Sequence, residues 1–154
     1  NATLKHTMSG QILDLQVNNT SLPELGWNAL IAGYHNVPVI FVSGDQALIE
    51  QAHNLFDDIE TVAVKQGIGQ AALSLHPKKS QQLIKEGVKK ALSRKSDFKP
   101  LTFSSPYQVV IQYKNEDRAY RAAWYPGAER INELTVSFTG TDFMDCLRFF
   151  MFVG

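Results

Sequence analysis

The chain has 154 residues, 44% of them hydrophobic and 19% charged, with fifteen basic residues balancing fifteen acidic ones. That is the make-up of a globular domain long enough to bury a core, and the charge balance excludes an overall field that would gather nucleic acid or anionic lipid. No apolar run approaches the roughly 20 residues that cross a bilayer, no N-terminal stretch has the order of a secretory signal, and the single cysteine, Cys146, can form no internal disulfide, so a cytoplasmic protein without a membrane partner is expected.

Asn1 and Ala2 read as the remnant of an expression tag. Leu13, Leu15 and Val17 alternate with Asp14 and Gln16, the period of a half-buried strand, and Asn18-Asn19-Thr20 turns the chain. Ser21-Leu22-Pro23-Glu24 predicts a helix start, with Ser21 as N-cap and Glu24 closing a capping box. Trp27, Leu30, Ile31 and Tyr34 carry that helix to about His35. The nearly all-apolar run from Val37 to Val42 suits a strand covered on both faces. A second helix follows on Leu48, Ile49, Ala52, Leu55 and Phe56, and Thr61 to Val64 is a further strand. This alternation predicts an α/β protein of βαβ units with a parallel sheet.

Lys65 to Gln70 reads as a glycine-bearing loop after that strand. Pro77 to about Lys95 is an amphipathic helix whose outer face carries Lys78, Lys79, Lys85, Lys89, Lys90, Arg94 and Lys95. A polar connector spans residues 96–106. Beyond it Val109, Ile111 and Tyr113 alternate, a short helix covers residues 117–124, and Leu134, Val136 and Phe138 alternate again before a last helix from about Asp142. The pattern divides the chain into an α/β part, residues 3–100, and a smaller α+β unit with antiparallel strands, residues 101–154, packed on it. Phe149, Phe150, Met151 and Phe152 are too bunched for one stripe and predict a last helix buried on most sides.

There is no His-Glu-x-x-His helix, no Cys-x-x-Cys pair, no phosphate loop and no nucleophile elbow, and His6, His35, His53 and His76 lack metal-ligand spacing among themselves. The segments Glu24-Leu25-Gly26-Trp27-Asn28-Ala29-Leu30-Ile31-Ala32-Gly33-Tyr34, Val37-Pro38-Val39 and Gly44-Asp45 resemble the D-aminopeptidase family of dinuclear zinc peptidases, some of whose members are called dipeptide transport proteins. The likeness continues through Ala63-Val64-Lys65-Gln66, Leu75-His76-Pro77, Lys99-Pro100-Leu101 and Tyr125-Pro126-Gly127, in order and over nearly the whole chain.

The resemblance implies two site residues. Lys5-His6-Thr7 stands eighteen residues before Glu24-Leu25-Gly26, with lysine where the family has serine, which implies His6 in proton transfer and Glu24 as a zinc ligand. It also implies two zinc ions that bind substrate amine and carbonyl and activate water, with the other ligands contributed by sequence before His6. On that reading this chain by itself does not retain the metals. The implied protein is a homo-oligomeric aminopeptidase for short peptides with an N-terminal D-residue; the alternative is a non-catalytic peptide-binding or assembly module that keeps the family fold without its metals.

Each residue also has a plainer reading. Glu24 fits a capping box without any metal. Lys65 stands where α/β folds place active-site groups and is a candidate substrate-proximal residue, yet a solvated lysine at a strand end looks the same. The lysine-rich helix face could serve nucleic acid, but without interleaved aromatics it reads as a solvated face, so no nucleic-acid partner is expected.

Overall fold

The structure, a computed structural model, describes residues 8–154. It resolves into two compact units whose boundaries fall within one helix, α1 (Glu24–Tyr34), and near residue 101.

Among the described residues, one unit joins 8–27 with 102–154. Its five-stranded sheet comprises β1 (Ile12–Val17), β2 (Thr20–Ser21), β6 (Tyr107–Tyr113), β7 (Ala128–Arg130) and β8 (Thr135–Gly140), in the order β2-β1-β6-β8-β7 and antiparallel throughout. The grouping expected from the sequence, 3–100 against 101–154, therefore differs for its first segment: β1 pairs with β6, from Val17 opposite Val109 to Ile12 opposite Tyr113. Alternation along a strand identifies one buried face but not the sheet it joins, which is a non-local choice.

Asn18 and Asn19 take positive φ, 49° and 64°, as a two-residue type I′ hairpin turn requires, and Val17 pairs with Thr20 across it. A register shift between Ile12 and Asp14 turns Leu13 outward, so the inward residues are Ile12, Leu15 and Val17 rather than the expected Leu13, Leu15 and Val17. Val109, Ile111 and Tyr113 of β6 face inward as expected, meeting Val136 of β8. Asn115 and Asp142 cap α4 (Glu116–Ala122) and α5 (Phe143–Val153). On α5 the expectation of burial on most sides is corrected: Phe149 and Phe150 are buried, while Met151 and Phe152 are 82% and 77% exposed. Four consecutive residues cover about 300° of a helix at 100° each, so one flat sheet cannot cover all of them.

The other described unit is residues 28–101. Here β3 (Phe41–Asp45) runs parallel to β4 (Glu60–Ile68), joined by α2 (Gln46–Leu55), and β5 (Ala71–Ser74) lies antiparallel on the far side of β4. This is the expected βαβ element, and with the antiparallel sheet of the other unit it makes an α/β protein with an added α+β part. The expected strand from Val37 begins only at Phe41. Asn36 has φ 58° and closes the C-terminus of α1 through hydrogen bonds from its own amide to Gly33 and from Val37 to Ala32, and Pro38 has no amide to give to a ladder. Gly33 is required by contact: a Cβ there would collide with the Leu101 carbonyl.

α3 (Pro77–Ser93) is capped by His76, whose Nδ1 accepts the Lys78 amide at 3.3 Å. At its other end Arg94 reaches Asp58, Glu60 and Asp97 and lies 4.9 Å over the Phe98 ring, tying the helix end to the start of β4. The expected loop 65–70 is instead strand and tight turn: β4 continues to Ile68, and Gly69, at φ 59°, turns it into β5. None of the described helices is long and apolar enough to cross a membrane.

Candidate functional site

Glu24 is the first residue of α1 and half-buried. Ser21 is not its cap, because Ser21 belongs to β2 and its hydroxyl donates to Asp14 Oδ1. The capping box therefore does not form; the helix starts two residues later than expected, immediately after Pro23. The cause is the hairpin: the Leu22 amide donates to the Leu15 carbonyl at 2.8 Å, and the buried Leu22 side chain holds the chain extended to that point.

Three residues on, Trp27 is buried with its ring 4.7 Å from that of Phe150 and 5.5 Å from that of Phe143. Asn18 adds a brace, its side chain donating to the Ser104 carbonyl at 2.9 Å and accepting the Gln108 amide at 2.8 Å. The Glu24 carboxylate thus leaves a backbone fixed on both sides, at the helix end where exposed amides favour negative charge. A fixed, half-buried carboxylate can hold a cation or orient an ammonium.

Lys65 lies in the unit of residues 28–101, on β4 rather than in a loop, and is exposed. Its strand neighbours are Asp45 at the C-terminal end of β3 and Ser74 on β5. Asp45 caps α2, its Oδ1 accepting the Leu48 amide at 2.8 Å. The row Asp45, Lys65, Ser74 was not picked out from the sequence. Its signal was a strand running through Gly44-Asp45 straight into a helix, since ligands in α/β sheets meet the carboxyl ends of the strands. An exposed ammonium there can bind an anionic group.

His6, the candidate catalytic residue, lies outside the described residues. His76 serves as a helix cap, His53 Nε2 sits 3.1 Å from Thr61 Oγ1, and the His35 ring meets Tyr34 edge-on at 5.3 Å. Among the described residues no three His, Cys, Asp or Glu side chains are grouped so as to hold a metal ion. Zinc takes three or four protein ligands, so Glu24 alone does not make a zinc site.

Among the described residues, the two groups with displaced titration are core residues. Burial pushes the Tyr113 phenol up to about 12, against a smaller opposing pull from Arg118, and its hydroxyl donates to the Val153 carbonyl at 3.0 Å. Burial likewise raises the Cys146 thiol to about 11.

Residues 1–152 match the family model described as D-aminopeptidase. The chain is 34% identical over 147 residues to a D-aminopeptidase of Bacillus subtilis strain 168, covering 94% of this chain and 54% of that protein. It also matches the solved structure of the Zn-dependent D-aminopeptidase DppA from Bacillus subtilis, described as a self-compartmentalizing protease. That match has a TM-score of 0.92 and 31% identity, over 99% of this chain and 58% of that one. The chain thus spans a little over half the length of the relatives it matches.

Proposed function

The chain belongs to the D-aminopeptidase family of peptidases, and from that premise we propose that it forms part of a zinc-dependent enzyme that hydrolyses short peptides with an N-terminal D-residue. The observation that carries the reading is the placement of Glu24, a half-buried carboxylate on the first turn of α1, braced by Leu22 before it and Trp27 after it. Structural likeness to a Zn-dependent enzyme over 99% of the chain supports it. Zinc, when bound, supplies Lewis-acid polarisation and an activated water in enzymes of this kind.

In this chain Glu24 contributes one carboxylate to the metal, and further ligands come from outside the described residues. His6 moves a proton at the scissile amide, and Lys65 lies near the substrate, where its ammonium can meet the carboxylate of a short peptide. We place the protein in the cytoplasm and, because a relative is a self-compartmentalizing protease, in a homo-oligomer.

The test is a pair of variants in the whole protein. Glu24→Ala loses zinc and activity together, whereas His6→Ala keeps zinc and loses turnover on a D-alanyl substrate, because only a ligand sets occupancy. Elemental analysis beside kinetics separates them. If His6→Ala empties the site as completely as Glu24→Ala does, the two roles are wrongly assigned.

A further inference from the structure

The sheet β3-β4-β5 brings three side chains of different chemistry into one row. A register shift after Gly44 sets Asp45 of β3 opposite Lys65 of β4, where an unbroken ladder would have set Val64. Across the other edge of β4, Lys65 faces Ser74 of β5. Cross-strand partners point to one face of a sheet, on strands about 4.7–4.9 Å apart, so a carboxylate, an ammonium and a hydroxyl stand side by side. Shifts of this kind re-aim a side chain and gather beside active sites. This one also falls at the carboxyl end of β3, where α/β sheets meet their ligands.

The three groups are not spent on one another. Asp45 and Lys65 are neighbours of opposite charge, yet no ion pair joins them among the described residues. Asp45 Oδ1 accepts the Leu48 amide at 2.8 Å, which fixes the carboxylate at the start of α2 and leaves its second oxygen to accept from a ligand. Lys65 is exposed, and from Thr61 to Leu75 it is the single charged residue, so no carboxylate of its own hairpin competes for it. Ser74 is exposed beside it, with a hydroxyl that can donate. A plain anion would meet Lys65 and Ser74 but be repelled by Asp45 one strand away, and a plain amine would meet the reverse. A ligand that carries a carboxylate and an ammonium close together satisfies the whole row.

We propose that the row Asp45, Lys65, Ser74 is a binding site for a free α-amino acid. The ligand sets its carboxylate on the Lys65 ammonium and the Ser74 hydroxyl, and its ammonium on Asp45, through charge-assisted hydrogen bonds. This goes beyond the placement of Lys65 near a peptide carboxylate. The nitrogen beside the C-terminal carboxylate of a peptide is an uncharged amide, which supplies only half of what the row complements. An aminopeptidase releases a free amino acid at each turnover, and that link alone rests on the peptidase reading above.

Calorimetric titration of the metal-stripped whole protein with alanine of either hand, N-acetylalanine and alaninamide reads the two ends of the ligand separately. Stripping the metal removes zinc as a competing seat for the amine. The expected result is saturable binding of alanine, weakened roughly tenfold or more when either end group is blocked. Asp45→Asn and Lys65→Met should each weaken alanine by the same order. Asparagine also caps helices, so α2 keeps its start, and circular dichroism confirms that both variants are folded. Should a variant not fold, the ligand series on the wild-type protein still decides. Equal binding of alanine and N-acetylalanine would overturn the amino-acid assignment. Alanine binding that is absent at millimolar concentration, or unchanged in both variants, would overturn the row itself. With zinc absent throughout, none of these outcomes bears on Glu24 and His6, whose roles stand or fall by the metal and turnover test above.

Discussion

The two sheets of this molecule are built from similar residues and finished differently. In the antiparallel sheet Leu15, Val17, Val109, Ile111 and Val136 have no solvent exposure, and α5 adds Phe149 with its ring stacked 4.9 Å from Phe138. In the sheet β3-β4-β5 only Val42 is buried; every residue of β4 and β5 keeps some exposure, and β5 is exposed throughout. The first sheet closes on its own chain and makes a firm base for Glu24. The second leaves an apolar edge for other material to cover. The same contrast holds around Glu24: Leu22 and Trp27 fix the backbone on either side of it, while among the described residues no three His, Cys, Asp or Glu side chains are grouped so as to hold a metal ion.

If the closed core is what holds Glu24, the largest effect comes from Trp27. Trp27→Ala removes a fully buried ring packed on Phe143 and Phe150 and should cost about 3–5 kcal/mol in urea unfolding. A loss under about 1 kcal/mol would mean that this core is not what braces the helix start.

The alkaline limb comes next. Tyr113 titrates at about 12 folded against 10 for the free group, and Cys146 at about 11 against 9. Both folded values are raised, so the neutral forms contribute stability that is complete below pH 9, lost for Cys146 as pH rises to 11 and for Tyr113 between 10 and 12. Two units correspond to about 3 kcal/mol for each group. Unfolding free energy measured from pH 8 to 11.5 should fall, and Tyr113→Phe should remove the upper part of the decline.

A smaller effect is expected in the other unit at Arg94, whose partners are partly exposed. Arg94→Ala should cost about 1 kcal/mol, diminishing in salt. The smallest belongs to the open edge: Leu73→Ser should change the stability of the chain by no more than about 0.5 kcal/mol, because Leu73 is 65% exposed. A loss of several kcal/mol there would erase the contrast between the sheets.

Much of this was legible in the residues. Period-two alternation at Val109, Ile111 and Tyr113 located β6, and the order of apolar runs around α2 identified the βαβ element. What escaped was non-local or decided by competition. The pairing of β1 with β6 joins residues as far apart as Ile12 and Tyr113, which no local period encodes. Ser21 has the chemistry of an N-cap, but the hairpin claimed it for Asp14. Gly67 and Gly69 read as loop residues, whereas only Gly69 turns the chain and Gly67 lies in β4. At the site, the grouping of Lys65 with Asp45 and Ser74 depends on register across three strands. The role proposed for Glu24 rests on resemblance, because a carboxylate at a helix start looks the same with or without a metal.

The most direct test of the central reading, one well-braced carboxylate and an incomplete set of ligands, is a calorimetric zinc titration of the metal-stripped 154-residue chain beside its Glu24→Ala variant. Weak uptake by the chain, far above micromolar, and weaker still in Glu24→Ala, is the predicted result, since zinc needs three or four protein ligands. A stoichiometric, sub-micromolar two-ion site in each copy, or tight binding unchanged by Glu24→Ala, would contradict it.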